Sequence, residues 1–135
     1  IYTSEECLTG TDRVAEASFE IDANTIINVQ GDEPMIDYKD IQKVIELKKN
    51  NPDSVINCMS PLHKDENLDD KKIPKVVCDL ENNLLYSSRN AIPGSKDKNY
   101  GCAMKQICIY AFNKSQLISF AVDYPEDIKV VEKII

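Results

Sequence analysis

The sequence holds a single histidine, His63, and its five cysteines include no CxxC pair. A zinc site built on clustered His and Cys is therefore not expected. The cysteine count is odd, with Cys7, Cys58, Cys78, Cys102 and Cys108 scattered along the chain. That pattern reads as free, mostly buried thiols in a reducing cytoplasm, so a cytoplasmic location is expected. No apolar run approaches the roughly 20 residues that span a bilayer, so no membrane partner is expected, and no signal-peptide pattern opens the chain. Positive charge is scarce: 16 Lys and Arg stand against 23 Asp and Glu, a formal net charge of -7. That balance argues against nucleic acid as a partner, though a local basic cluster still suits a small anion. No Ser/His/Asp arrangement is visible, and there is no internal repeat or low-complexity tract. An initiator methionine is missing as well. Ile1 opens inside sequence that reads as ordered, so the chain is expected to be incomplete.

What is present reads as α/β. A length of 135 residues and an apolar fraction of 42% suit a single α/β domain spanning 1–135. TGTDRVAEASFE (9–20) predicts a helix from about Asp12, with Thr9 or Thr11 as its cap. TIINVQ (25–30) is β-branched and nearly all apolar, as expected of a strand covered on both faces. MIDYKDIQKVIELKKNN predicts a helix capped by Asp37 and stopped by Asn50-Asn51-Pro52, with Ile41, Val44, Ile45 and Lys48 at helical spacing. SVINCMS (54–60) predicts a second buried strand, and the succession implies a right-handed βαβ unit. Residues 63–74 read as a polar loop. KVVCD and NLLYSSR flank Leu80–Asn83 as a hairpin would. AIPGSKDKNYGC is a turn-rich excursion, KQICIYAF (105–112) a strand, and PEDIKVVEKI (125–134) a helix with Pro125 in its first turn.

Two acidic stretches carry chemistry. INVQGDEPMI (27–36) ends an apolar strand abruptly on Gly31, Asp32, Glu33 and Pro34. In open α/β sheets, ligands gather at the carboxyl edge of the strands. Gly31 lets the backbone turn and a ligand approach, and Pro34 ends the pairing. Asp32 is placed to hold Mg²⁺, a hard ion that takes oxygen ligands; a plain turn cap is the equal alternative. In AVDYPED (121–127), Asp123 reads by itself as a helix N-cap, with Glu126 and Asp127 complementing the helix dipole.

Several segments, in order, resemble the sugar-acid cytidylyltransferases, and among them the CMP-Kdo synthetases (3-deoxy-manno-octulosonate cytidylyltransferases). LTGTDRVAE is similar to that family's TGT-D/E-R-hydrophobic-A-E segment, and INVQGDEPMI is almost its motif. PKVVCDLENNLLYSSRNAIP resembles KVV-D-x-(N)-G-x-x-LY-x-SR-x-x-IP, KQICIYAF resembles the H/Q-x-GIYAY strand, and AVDYPEDIKVVEKI resembles the VDTPEDLE helix. QGDEP together with LYxSR and VDxPED is specific, whereas each by itself is weak. The resemblance implies a nucleotide-diphospho-sugar transferase-like fold, with a mixed, mainly parallel sheet flanked by helices and a β-hairpin excursion. It also implies the reaction of CTP with Kdo to give CMP-Kdo and pyrophosphate, for lipopolysaccharide synthesis.

By the same carry-over, Asp32 and Asp123 are the catalytic pair and the Mg²⁺ ligands. Arg13, Gln30, Lys75, Arg89, Gln106 and Tyr110 are the substrate-binding positions, and the hairpin 75–88 with the loop after it resembles the family's dimer-forming region, so a homodimer is expected. The residues also permit plainer readings. Arg13 can pair with Glu16 or Glu20, Lys75 and Arg89 can be ordinary hairpin charges, and Tyr110 can belong to the core. The chain also departs from the resemblance. Nothing matches the family's N-terminal phosphate loop of the type PAR-x-x-S-x-R-x-x-GKP, so the domain is expected to be partial. Residues near 117–121 are expected to join segments that are not adjacent in the natural chain. Gln106 stands where many Kdo enzymes have His. The alternatives are a cytidylyltransferase for another nonulosonic acid, or a truncated, non-catalytic module for sugar binding or dimerisation.

Overall fold

The computed structural model describes residues 1–31, 34–94 and 102–122, the last three of these by backbone alone. Along the chain lie α1 (Gly10–Ser18), β1 (Thr25–Val29), α2 (Tyr38–Asn50), β2 (Ile56–Pro61), β3 (Lys75–Cys78), β4 (Leu84–Ser88), β5 (Met104–Asn113) and α3 (Lys114–Val122). They divide into two compact units, Ile1–Asn57 with the chain from Cys108 onward, and Cys58–Ile107. None of the described helices is long and apolar enough to cross a membrane.

In the first unit, α1 starts where its sequence can satisfy the free N–H groups of its first turn. The Asp12 N–H donates to Thr9 Oγ1 at 3.2 Å, and the Asp12 carboxylate accepts the Thr9 N–H at 2.7 Å. This is a reciprocal capping box with Asp in the place of the usual Glu. The helix buries Ala15 and Ser18. Ala15 packs with Ile26, Phe112 and Leu117, and Val14, Ala23, Val55 and Tyr110 close around them. β1 runs antiparallel to β5 from Thr25 opposite Asn113 to Val29 opposite Ile109. α2 is capped as expected, with the Asp37 carboxylate accepting the Lys39 N–H at 2.9 Å. Its buried residues are Val44 and Lys48.

The Lys48 ammonium donates to Pro52 O at 2.8 Å, Ser54 O at 2.6 Å and Gln116 Oε1 at 2.8 Å. Gln116 also accepts the Asn113 N–H at 2.8 Å, at the start of α3, and donates to Asp53 O at 2.8 Å. A buried cation can be tolerated when each of its protons has an acceptor.

The second unit is organised by the β3–β4 hairpin, with Lys75 opposite Ser88, Val77 opposite Tyr86, and a bulge between Val77 and Cys78. Asp79 builds the turn. Its Oδ1 accepts the N–H groups of Glu81 and Asn83 at 2.9 and 2.8 Å, and Oδ2 accepts Asn83 Nδ2 at 2.9 Å. These bonds, those from Asn83 foremost, hold the Asp79 carboxyl below its ordinary pKa. Asn82 takes the left-handed φ of 65° that the turn demands, a conformation Asn tolerates better than most residues. β3 also pairs with the start of β5, antiparallel. Leu68, Val76 and Ala103 are buried here, and the Lys105 ammonium is ion-paired with Glu66 of the 63–74 loop.

The α/β class, with helices against a sheet, agrees with the sequence. The expected mainly parallel pairing does not appear in the described registers, since β1–β5, β3–β4 and β3–β5 are all antiparallel. β1 and β2 flank α2 in sequence, yet each pairs with β5. A strand arriving late in the chain has taken the place that a simple βαβ unit would give to a neighbour. α3 was not anticipated, while the excursion at 95–101 and the helix expected at 125–134 lie outside the described residues.

Candidate functional site

In the first unit, the carboxyl end of β1 is where two of the recognised segments meet. The start of α1 lies there: a Cβ added at Gly10 would sit 4.0 Å from Gln30 Nε2. Gly10 of the TGT segment and Gln30, which opens QGDEP, are thus neighbours. The Gln30 N–H donates to Cys108 O at 3.1 Å, which carries the β1–β5 ladder past Val29. Gly31 is exposed with no left-handed φ, and a Cβ there would meet nothing within 4 Å among the described residues. Asp32 and Glu33 lie outside the described residues, and so does Asp123.

Tyr110 stands opposite Asn28 on β5. Its ring stacks on Phe112 with centroids 6.2 Å apart, half-buried against the core. Asn28 itself is a residue that sequence reasoning passed over. It is 6% exposed, and among the described residues its Nδ2 has no hydrogen-bond partner. Such an orphaned donor costs about 1–3 kcal/mol. The signal was available: Ile26 and Asn28 point to one face of β1, and an amide at an inward position of an apolar strand calls for an explanation.

Arg13 is on an exposed part of α1. Its Nη1 donates to Thr3 Oγ1 at 3.1 Å and Ser4 O at 2.9 Å, and Nη2 to Cys7 O at 3.5 Å. Glu16 completes this clasp, accepting the Ser4 N–H at 2.8 Å and the Cys7 thiol at 3.0 Å. The thiol contact is the main reason that the Glu16 carboxyl titrates low and the Cys7 thiol high. Arg13 therefore holds the segment before α1 onto the helix, an arrangement the sequence did not suggest.

Lys75, Arg89 and Gln106 come together in the second unit. Lys75 is fully buried. Its ammonium donates to Asp70 O at 2.7 Å, Ile73 O at 2.9 Å and Arg89 O at 3.0 Å. Arg89 is exposed, with Nη1 donating to Lys71 O at 3.0 Å and Lys72 O at 3.4 Å. The Gln106 N–H donates to Pro74 O at 3.0 Å. A groove of about 290 Å³ in the same unit is lined by apolar and sulfur-bearing side chains, among them Met59, Cys78, Cys102 and Met104, together with the polar Asp79 and Asn82. Lys75, Arg89 and Gln106 are not among its walls. Among the described residues, no three His, Cys, Asp or Glu side chains gather to hold a metal.

Comparison with known proteins gives the following. The family described as cytidylyltransferase matches residues 1–135. The chain is 38% identical to a 3-deoxy-manno-octulosonate cytidylyltransferase of Flavobacterium johnsoniae over 124 residues, which are 89% of this chain and 51% of that protein. It is 34% identical to an 8-amino-3,8-dideoxy-manno-octulosonate cytidylyltransferase of Shewanella sediminis over 126 residues, 90% of this chain and 51% of that one. A solved structure of CMP:2-keto-3-deoxy-manno-octonic acid synthetase complexed with CTP superposes with a TM-score of 0.84 at 28% identity, covering 98% of this chain and 55% of the other. The chain thus spans about half the length of these relatives.

Proposed function

The chain belongs to the cytidylyltransferase family, and from that premise we propose that the protein transfers CMP from CTP to Kdo, with release of pyrophosphate. The observation that carries this reading is the approach of the start of α1 to the end of β1, where Gly10 of the TGT segment lies beside the Gln30 amide. The likeness to a synthetase solved with CTP supports it. In the reaction, the anomeric hydroxyl of the sugar acid attacks the α-phosphorus of CTP. The new O–P bond forms as the bond to the bridging oxygen of pyrophosphate breaks, and the hydroxyl proton passes to solvent. No covalent intermediate with the protein is required.

In this proposal Gln30 offers its amide at the mouth of β1. Arg89 offers the free part of its guanidinium to the sugar carboxylate, because Nη1 is already tied to the 71–72 carbonyls while Nε and Nη2 make no described bond. A planar fork suits a carboxylate. Gln106 and Tyr110 extend polar groups along β5, and Arg13 acts by fixing the segment that precedes the TGT turn. Asp32 and Asp123, two hard oxygen donors, would hold Mg²⁺. The ion would offset charge on the phosphates. A second copy of the chain is proposed to pair through the hairpin, whose Leu80, Leu85 and Tyr86 are exposed. A cytoplasmic location follows from the need for CTP.

The 8-amino relative favours a second substrate of the same class. The two are separated by measuring pyrophosphate release from CTP with Kdo, with its 8-amino-8-deoxy analogue and with a neuraminate-type acid, each in turn. Preference for Kdo is expected. Turnover with the 8-amino sugar alone would move the assignment to that sugar, and turnover with none would leave a binding module.

A further inference from the structure

Lys75 fits its expected role as a substrate contact poorly, and its surroundings indicate another. It is 0% exposed. An ammonium has three protons to donate, and here they go to the carbonyls of Asp70, Ile73 and Arg89. Nothing on the ammonium is left to offer a ligand. Between the carbonyls of Asp70 and Ile73, those of Lys71 and Lys72 accept from Arg89 Nη1, and the next, of Pro74, accepts the Gln106 N–H. Every carbonyl from Asp70 to Pro74 therefore ends on a donor from β3, β5 or the residue after β4. The two basic side chains are interlocked, since Lys75 holds the backbone of Arg89 while Arg89 holds the strap that Lys75 also grips. Leu68, 1% exposed, anchors the same loop from within.

We propose that Lys75 is a positioning residue, which sets the Arg89 guanidinium for the carboxylate of the sugar acid by clamping the 70–74 strap against the Arg89 backbone. This rests on the function proposed above. A carboxylate receptor must hold its fork at a fixed angle, and an exposed arginine on a free loop would not. With Lys75 in place, the exposed Arg89 side chain is presented from a backbone whose carbonyl is held by the Lys75 ammonium.

The first test uses the unaltered protein. It is treated with a water-soluble amine-acylating reagent, with and without Kdo, and the modified lysines are read by mass spectrometry. Lys71 and Lys72, which are exposed, are expected to react, and Lys75 to stay unmodified in both samples. Reaction of Lys75 in the free protein, with protection by Kdo, would make it a direct contact and overturn the proposal. The second test is kinetic. Lys75→Met is expected to raise KM for Kdo about ten- to hundredfold and leave KM for CTP nearly unchanged. In an Arg89→Ala background the same change should do little further to KM for Kdo, because its route is through Arg89. An equal rise in both KM values, or effects that multiply independently, would mark a merely structural lysine. A variant that does not fold leaves the labelling result to decide. Lack of turnover in the unaltered protein would refute the parent reading instead, a different outcome from a Lys75 change without consequence in an active one.

Discussion

Replacing Lys48 by methionine is expected to destabilise the first unit, and the structure sets the size. The side chain is 2% exposed, and methionine fills a similar volume, so little packing is lost. What disappears is an ammonium with its three acceptors. Pro52 O keeps a bond from Asn113 Nδ2 at 2.6 Å, and Gln116 Oε1 keeps the Asn113 N–H at 2.8 Å. Ser54 O loses the one donor described for it. A stranded carbonyl costs about 1–3 kcal/mol, toward the lower end here because Ser54 is exposed to water. Burial works in the other direction. It pushes the Lys48 ammonium below the ordinary lysine pKa of 10.5, with Asp53 countering only in part, and methionine removes that penalty.

The bonds outweigh the burial, because the lysine also joins the 52–54 turn to α3. The net loss is about 1–2 kcal/mol, or about 3–8 °C in Tm. Thermal unfolding followed by circular dichroism measures it. The pH dependence supplies a second readout. A lysine with a lowered folded pKa holds its proton more weakly in the native state than in the unfolded chain, so its contribution to stability rises with pH through the alkaline range below 10.5. The variant should lose that slope. A Tm equal to or above that of the unaltered protein near neutral pH would refute the reasoning, by showing that desolvation outweighs the three bonds.

Leu117 is fully buried in the core under α1, so Leu117→Ala should cost about 2–5 kcal/mol in chemical denaturation; a loss near zero would mean that α3 is not part of the cooperative unit. Asn28→Val removes the orphaned amide and should stabilise by about 1 kcal/mol, while lowering turnover if the amide is retained for the ligand; unchanged turnover would show that it has no such use. The Glu16 carboxyl is held below its ordinary pKa of 4.5, chiefly by the Cys7 thiol and then by the Ser4 N–H. Its contribution is thus present above the ordinary value and fades as pH falls through the lowered one. Glu16→Gln should flatten acid unfolding in that window, and an unchanged acid limb would remove the clasp from the account.

Local chemistry was the most readable part of the fold. The Thr9 box, the Asp37 cap and the Asp79 turn each depend on side chains that bond their own neighbourhood, so a short window of sequence contains the cause. α3 escaped notice because KSQLISFAV has no acidic first turn and no basic last turn, and its apolar residues look like those of a strand or a junction. The pairing of β5 with β1, β2 and β3 is a long-range outcome that no local pattern encodes. Among the site residues, the resemblance named Gln30 but not its approach to Gly10, which is a long-range contact. Nor did the resemblance distinguish the buried, saturated Lys75 from the exposed Arg89, because that difference lies in which carbonyls the loop at 70–74 brings within reach.

The most direct test of the central claim is the rate of CTP-dependent pyrophosphate release with Kdo, compared between the unaltered protein and Asp32→Asn. The expected result is turnover that requires both substrates and Mg²⁺ in the first, and loss of turnover with an unchanged melting curve in the second. Asp32→Asn turning over at the unaltered rate would contradict the role given to the QGDEP turn, and no release from the unaltered protein with any sugar acid would contradict the transfer itself.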